Sequence, residues 1–352
     1  MNPIQSAARF YTIHTLSPLH VGSGTGVGLI DMPIMRERET KWPLIPGSTM
    51  KGTLRAYVEH APSGSKADIQ AQAWNVPTRE LAKQWFGAGG DDELSAGSLV
   101  ISDARLLAFP VASGYGTFAY VTCPLAIRRF ARDARAIGVS IPHVETEHLK
   151  DEDVWVLEPN AITSEYKAVG STEQGRNGSA AARPGTTTAA DTSKRNIQLD
   201  EFKGLATIAG KQPHDGSASF INWAKEVSDL LFPDSTDHGK PIDRKEDRHI
   251  WQQHIALVPD DVFQYLVEMC CQVEAKIRIE PHQKTVVDGA LWYEEYIPTE
   301  AILYGMLWND STDDVATSQL PFQLLSQANY VQIGGNSTTG RGRVEFIVQE
   351  VR

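Results

Sequence analysis

The chain has 352 residues, of which 41% are hydrophobic, enough to bury the core of one large domain or two ordinary ones. Its 33 Lys and Arg against 44 Asp and Glu give a net charge of -11, which argues against a protein coated by nucleic acid on every side but permits a local basic groove. Three cysteines, Cys123, Cys270 and Cys271, form no CxxC pair, so we expect buried free thiols rather than disulfides or a zinc site.

The N-terminus has no basic segment followed by an apolar signal core, and no apolar run reaches the ~18 residues that a membrane span needs. The histidines show no HxH or HExxH spacing, which argues against a dedicated transition-metal centre. We therefore expect a soluble, cytoplasmic protein that has no membrane partner.

Strands and helices alternate through the N-terminal half. "RFYTIHTLSPLHVG" predicts a strand that leads into the glycine loop "VGSGTGVG". "STMKGTLRAYVEHA" predicts a helix with Ser48 placed to cap its start, "AGSLVISDARLL" a strand, and "LAIRRFARDARAIG" a basic helix.

The C-terminal third is rich in predicted strands. "VPDDVFQYLVEMCCQVEAK" predicts a helix with two acids in its first turn, and "PFQLLSQANY" a short helix before the last strand. Strands are predicted in "AKIRIE", "KTVVDGALWYEEYIP", "AILYGMLW" and "GRVEFIVQEV". Because the elements interleave without strict βαβ repeats, the predicted fold class is α+β.

Residues 163–195 are small and polar and nearly free of large apolar side chains. Such a segment cannot bury enough apolar surface to fold alone, so we predict a mobile polar insertion. The charged segment "KPIDRKEDRH" near residue 245 predicts a second loop.

The strongest local signal is "QIGGNSTTGRGR", residues 332–343. Its glycines allow backbone N–H groups to approach a ligand closely, and its Asn, Ser, Thr and Arg side chains suit phosphate. It is not a Walker loop, because no Lys-Ser/Thr follows the last glycine. A glycine-rich connection into the final strand explains the pattern equally well. "VGSGTGVG" is a poor dinucleotide motif because no helix is predicted after it.

Cations and one carboxylate accompany these loops. Lys51 and Arg55, one turn apart near a helix start, suit a nucleic-acid backbone or form an ordinary solvated face. Asp31 lies between the first glycine loop and the basic residues Arg36 and Arg38. It is either a turn residue or a carboxylate that accepts a proton from a ribose 2′-hydroxyl or shares a divalent cation with substrate phosphate.

His20 beside the first loop is either an acid or phosphate contact or a packed histidine. In "WYEEYIP", Glu294, Glu295 and Tyr296 precede a proline, and an edge strand that exposes alternate charged residues explains them without function.

The segments "TLSPLHVGSG", "IDMPIMRER", "WPLIPGSTMKGTLR", "VDGALWYEE" and "QIGGNSTTGRGRV" together resemble the RAMP superfamily of CRISPR proteins. Within it, the chain is similar to the repeated backbone subunits of type III-B Cmr effector complexes. The resemblance runs in order from about residue 11 to residue 348 and implies a single domain over residues 1–352.

This resemblance implies a ferredoxin-like, RRM-related core with an inserted thumb hairpin. It also implies stacking with further copies of the chain and other Cmr subunits along a CRISPR RNA, where the thumbs interrupt the duplex with single-stranded target RNA. The family's catalytic aspartate falls on Asp31, and positions near the cleavage site fall on His20, Glu294 and Tyr296. The implied RNA-binding residues are Gly22, Gly24, Arg36, Arg38, Ser48, Lys51, Arg55, Gly334, Gly335, Asn336, Thr339, Gly340 and Arg341.

The implied activity is that of a guide-dependent endoribonuclease that uses Mg²⁺ or Mn²⁺, held by Asp31 and RNA phosphate. Two alternatives remain at this point. One is a non-catalytic filament subunit in which Asp31 is a turn residue. The other is a metal-independent RAMP ribonuclease that processes CRISPR transcripts with a His or Tyr acid-base centre.

Overall fold

The computed structural model describes residues 8–61 except 25 and 27, and residues 76–88, 95–150, 153–165, 193–212, 216–237, 240–280, 284–310 and 315–349. It also describes residues 65, 68, 71, 72, 74 and 282. Within these ranges the α-helices are α1 (Gly47–Glu59), α2 (Thr78–Phe86), α3 (Pro124–Ala136), α4 (Ala218–Leu231), α5 (Lys245–His254), α6 (Asp260–Met269) and α7 (Val315–Leu325). None of the helices in the described ranges is long and apolar enough to cross a membrane.

Seventeen strands are described. They are β1 (Ala8–Thr15), β2 (Leu44–Ile45), β3 (Leu99–Ile101), β4 (Ala104–Ala112), β5 (Phe118–Thr122), β6 (Val154–Val156), β7 (Thr163–Glu165), β8 (Lys194–Leu199), β9 (Phe202–Ile208), β10 (Ser235–Asp237), β11 (Lys240–Ile242), β12 (Ile255–Leu257), β13 (Gln272–Ile279), β14 (Val286–Tyr296), β15 (Ile302–Asn309), β16 (Tyr330–Gln332) and β17 (Arg343–Val348). The prediction of an α+β fold is confirmed.

One large mixed sheet organises the fold, with strand order β16-β17-β1-β15-β4-β5-β12-β6-β9-β8-β7. Its central strands β17, β1, β15 and β4 are each antiparallel to their neighbours in this group, and the chain passes through α1 between β1 and β4 and through α7 between β15 and β17. β13 and β14 form a separate two-stranded hairpin that pairs with no other named strand of the described chain.

Successive side chains of a strand point to opposite faces of the sheet, and those of β1 are buried on both faces. Tyr11 and Ile13 of β1 join one core with residues of α1, α6 and α7, whereas Phe10 joins a second core with residues of α3, α4 and α5. This double burial explains why six of the eight residues of β1 are buried.

Several predicted boundaries are wrong. The helix predicted through "VPDDVFQYLVEMCCQVEAK" ends at Met269, and the chain enters β13 at Gln272, so that Cys270 is only half-buried. The strand predicted in "AGSLVISDARLL" is divided into β3 and β4, because two separate segments pair with β15. "KPIDRKEDRH" contains β11 and the start of α5 rather than a loop.

The predicted polar insertion is ordered at its edges. Residues 163–165 form β7, which pairs with β8 at residues 195–197, so both ends of the segment 163–195 belong to the sheet. Residues 166–192, which carry the rest of that prediction, lie outside the described residues.

Candidate functional site

The first glycine loop folds back on itself and docks beside β14. The Ser23 N–H donates to the Pro33 carbonyl at 2.9 Å, and the Met35 N–H donates to the Val21 carbonyl at 2.7 Å. Met32 then pairs in parallel with Glu294 of β14. Gly22 and Gly24 are exposed on this loop, and the described residues from 28 to 46 contain no helix, so a dinucleotide-binding turn is excluded.

Asp31 lies in residues 28–34, the segment of this loop that folds back against β14, and it is exposed. The Tyr293 backbone N–H donates to its Oδ2 at 2.8 Å, and its own carbonyl accepts the Gly26 N–H at 2.8 Å. One carboxylate oxygen is therefore held by a main-chain donor, while the residue as a whole is exposed.

His20 is buried beneath this loop, 5% exposed. Its Nδ1 donates to the Glu295 carbonyl at 2.7 Å, and its ring lies 5.5 Å from that of Tyr296. A Cβ on Gly22 would lie 2.8 Å from Nε2. Gly334, at φ +78°, approaches so closely that a Cβ there would meet the His20 carbonyl at 2.2 Å. Both glycines are thus required for the chain to close around the histidine.

Glu294 and Tyr296 form a buried cluster with Asn336 of the second glycine loop. The Tyr296 hydroxyl donates to Glu294 Oε2, which also accepts Asn336 Nδ2 at 2.8 Å, while Oε1 accepts Trp292 Nε1 at 2.7 Å. Burial alone would raise the pKa of Glu294, but these bonds outweigh it and hold the pKa below its usual value. Burial and the bond to Glu294 raise the pKa of Tyr296.

A charged layer lies next to this cluster. Glu274 of β13 accepts bonds from Arg341 Nη2 and Lys276 Nζ, each at 2.5 Å. Both cations also lie over the Tyr296 ring. Its centroid is 5.2 Å from Arg341 Cζ and 5.5 Å from Lys276 Nζ. Sequence reasoning did not identify Glu274 and Lys276. Their alternate spacing on a predicted strand was the available signal, but only the hairpin register places them beside Tyr296.

The second glycine loop has a defined shape. Asn336 adopts a left-handed conformation, and its carbonyl accepts the N–H groups of Thr339 at 3.0 Å and Arg341 at 3.3 Å. Gln332 Nε2 donates to the carbonyls of Ser337 and Arg341. Gly335, Thr339 and Gly340 remain exposed on a loop whose backbone is internally braced.

Arg36 and Arg38 have different environments. The Arg36 guanidinium donates to Glu295 Oε1 at 2.5 Å and to the Lys41 carbonyl at 2.6 Å, so it serves to hold the loop together. Glu295 also accepts the Ile34 N–H at 3.1 Å, which fixes the segment 28–34 that carries Asp31. Arg38 is exposed.

The remaining predicted RNA contacts lie on α1, which approaches β16, the strand that leads into the second glycine loop. Ser48 is exposed in the first turn but does not cap the helix. The cap is supplied instead by Asp103, whose Oδ1 accepts the Gly47 N–H at 2.7 Å. Lys51 is half-buried, and Arg55 pairs with Glu59 at 3.1 Å.

The tertiary structure thus brings together both glycine loops and the end of β14. Asp31, His20, Glu294, Tyr296, Asn336 and Arg341 all lie at this junction. The expectation of an edge strand that exposes alternate charges at residues 294–296 is wrong, because Glu294, Glu295 and Tyr296 are all buried. Within the described ranges, no group of three or more His, Cys, Asp and Glu side chains could hold a metal ion.

Comparisons with known proteins agree on one family. A family model described as the RAMP superfamily matches residues 12–345. The chain is 31% identical over 343 residues to the CRISPR system Cmr endoribonuclease Cmr4 of Pyrococcus furiosus, covering 96% of this chain and 95% of the relative. It is 25% identical over 355 residues to the CRISPR system CMR subunit Cmr4 of Saccharolobus solfataricus, covering 96% and 94%. The crystal structure of oligomeric Cmr4 from P. furiosus matches with a TM-score of 0.63 and 27% identity, covering 98% of this chain and 99% of that chain.

Proposed function

The chain belongs to the RAMP superfamily, and we propose that it is the backbone subunit of a type III-B CRISPR effector complex. In this function it binds CRISPR RNA, stacks with further copies of itself and with other subunits, and cleaves complementary target RNA at regular intervals. The similarity to a protein named as a Cmr endoribonuclease, over nearly the whole of both chains, supports the activity. The match to an oligomeric Cmr4 crystal structure supports self-association.

The strand order supports a ferredoxin-like core. In chain order, β1, α1, β4, β15, α7 and β17 follow the β-α-β-β-α-β pattern of that fold, and the four strands are neighbours in one antiparallel sheet. We assign the hairpin β13–β14 as the thumb hairpin. It stands apart from the large sheet and exposes an apolar face that includes Val273, Ile277 and Leu291.

The proposed reaction uses the nucleophile that RNA itself carries. Attack of a 2′-hydroxyl on the adjacent phosphorus needs in-line geometry, removal of a proton and stabilisation of charge. A thumb that displaces one nucleotide breaks the A-form stack and frees the backbone to reach that geometry. The products are a 2′,3′-cyclic phosphate and a 5′-hydroxyl.

Asp31 is the residue proposed to accept the 2′-hydroxyl proton. Asp31 is exposed, as a general base must be to reach its substrate, and one of its carboxylate oxygens is anchored by the Tyr293 N–H. Glu294 and Tyr296 are buried and bonded to each other, so they shape the floor of the site beneath the reacting linkage. His20 supports both glycine loops from below.

A divalent cation fits this site only as an ion shared with RNA. Asp31 offers one exposed carboxylate, and both oxygens of Glu294 are already bonded to side-chain donors. Mg²⁺ is commonly held by one or two carboxylates together with substrate phosphates and water, and Asp31 would be its protein ligand here. When bound, such an ion supplies Lewis-acid stabilisation of phosphate charge.

Guide pairing selects the target, while the protein contacts backbone and shape, so cleavage is independent of base identity. The net charge of -11 is compatible with this function, because a filament needs only one basic channel and its outer face can be acidic.

The observation that carries the proposal is the anchored, exposed carboxylate of Asp31 beside the Glu294–Tyr296–Asn336 cluster. The test is Asp31→Ala in the assembled complex, with Glu39→Ala, another exposed acid, as the matched control. Asp31→Ala should bind target RNA as the wild type does and yield no ladder of regularly spaced products, whereas Glu39→Ala should cut normally.

The same assay with and without EDTA separates the alternatives. Cleavage that survives in Asp31→Ala would leave the chain as a structural filament subunit, a role that the Asp31–Tyr293 contact alone could serve. EDTA-resistant processing of CRISPR transcripts by the isolated chain would instead identify a metal-independent RAMP ribonuclease.

A further inference from the structure

Two cations from different segments meet at one carboxylate beside the proposed cleavage site. Lys276 comes from β13 and Arg341 from the second glycine loop, and both bond to Glu274 at 2.5 Å. In the hairpin register Glu274 lies opposite Glu294 and Lys276 opposite Trp292, so the pair is held against the face of the hairpin that contacts Tyr296.

Arg341 has hydrogen-bond donors that Glu274 does not use. Glu274 takes one of the five N–H donors of Arg341, and within the described part of the chain the other four have no bonded partner. The side chains of Arg341 and Lys276 are 24% and 28% exposed, so both cationic groups remain accessible from solvent. Lys276, Arg341 and Glu274 together carry one positive charge, which the ionised carboxylate of Glu294 nearby offsets. The nearby Glu294 has both oxygens occupied by Tyr296, Trp292 and Asn336.

A guanidinium that is oriented by a carboxylate and lies over an aromatic ring presents its free edge in a fixed direction. Such an edge matches the oxygens of a phosphate group in a bidentate manner, and an adjacent ammonium adds a point charge. The bond to Glu274 raises the pKa of Lys276, so the ammonium keeps its proton at neutral pH and acts as a fixed charge rather than as an acid.

We propose that Lys276 and Arg341 bind one RNA phosphate at this site and that Glu274 is the positioning residue that orients both cations. This inference rests on the proposed function, because it takes RNA as the ligand of the surface. It extends the recognition site from the glycine loop onto the hairpin. It also places fixed positive charge where negative charge grows on phosphate oxygens during 2′-hydroxyl attack.

The test compares Lys276→Met with Arg278→Met in the assembled complex. Arg278 is the next basic residue of β13 and is exposed, so it is a control for loss of one charge. The target carries a 2′-deoxyribose at each cut nucleotide, which allows binding without cleavage. Single neutral methylphosphonates replace the phosphates around the site, in the target in one arm and in the guide in the other.

We expect Lys276→Met to weaken RNA binding about tenfold, as for a lost hydrogen bond between charged groups, and Arg278→Met to change it less than about twofold. At one phosphate position the methylphosphonate should remove the difference between wild type and Lys276→Met, and the arm in which this occurs identifies guide or target. Lys276→Arg should restore binding.

Glu274→Gln provides the second readout. As a positioning substitution it should lower the cleavage rate at saturating target by about tenfold while changing target affinity by less than about threefold, because the cations remain but lose their orientation. Equal losses in Lys276→Met and Arg278→Met, or a Lys276 effect that no methylphosphonate removes, would overturn the phosphate site. Those results leave the proposed function intact as long as Asp31→Ala abolishes cleavage.

Discussion

The backbone N–H of Tyr293 donates to Oδ2 of Asp31 at 2.8 Å, which joins the exposed carboxylate to the base of the β13–β14 hairpin. Two segments more than two hundred residues apart in the chain thereby form one site. The position of the proposed catalytic group thus depends on the hairpin.

Asp31→Asn separates the charge of this residue from its anchoring role. Its amide oxygen can still accept the Tyr293 N–H, so the loop should keep its position and the melting temperature should be unchanged. Loss of the general base should lower single-turnover cleavage by about 10²- to 10⁴-fold. An Asn variant that retains half of the wild-type rate would show that the carboxylate charge is not used.

Tyr296→Phe should make the fold more sensitive to acid. The variant loses the hydroxyl donor that helps to hold the pKa of Glu294 below its usual value. A depressed carboxyl pKa stabilises the folded state above the unfolded value of ~4.3, and this stabilisation is lost as pH falls through the folded pKa. We expect acid unfolding to begin at a higher pH, and a loss of about 1–2 kcal/mol in the free energy of unfolding at pH 7.

Acid titration monitored by tryptophan fluorescence measures this effect. The control is Tyr293→Phe, because Tyr293 is 41% exposed, and it should titrate as the wild type does. Identical acid midpoints for both variants would contradict the role of the Tyr296 hydroxyl.

Lys51→Ala should weaken guide RNA binding more than Arg55→Ala. The Arg55 guanidinium is partly neutralised by Glu59 at 3.1 Å, whereas Lys51 has no bonded partner among the described side chains. Loss of one phosphate contact should reduce the slope of log K against log salt by about 0.7 for single-stranded RNA, for all guide sequences. Filter-binding titrations at several salt concentrations measure the slope. A loss confined to particular sequences would contradict a backbone contact.

The free energy of unfolding should fall at alkaline pH, because His14 loses its proton there. Burial alone would lower its pKa, but the hydrogen bond of Nε2 to Glu300 at 2.7 Å and the carboxylate of Glu345, 3.9 Å from Nδ1, outweigh burial and raise the pKa to about 9. A raised histidine pKa stabilises the fold fully below the unfolded value of ~6.5, and this stabilisation is lost as pH rises through the folded pKa. Between pH 6.5 and 9 the free energy of unfolding should therefore drop by about 2–3 kcal/mol.

Denaturant titrations at pH 6 and pH 9.5 measure this dependence. His14→Gln should reduce it, whereas the exposed His148→Gln should preserve it. An unchanged pH dependence in His14→Gln would show that other groups carry the effect.

The amino-acid sequence by itself determined the fold class, most of the elements and the family resemblance. These depend on local properties, namely strand and helix periodicity, glycine spacing and ordered motifs along the chain. The sequence also singled out Asp31 and both glycine loops, because a carboxylate beside a glycine-rich loop and cations is visible as a local pattern.

Only the tertiary structure decided which side chains share the site. Arg36 is turned inward to Glu295, Asp103 rather than Ser48 caps α1, and Glu294 and Tyr296 are buried together. The physical reason is that these contacts join residues distant in sequence. They depend on strand register and loop docking, and a shift of one residue in the β13–β14 pairing would move Glu274 and Lys276 to the opposite face.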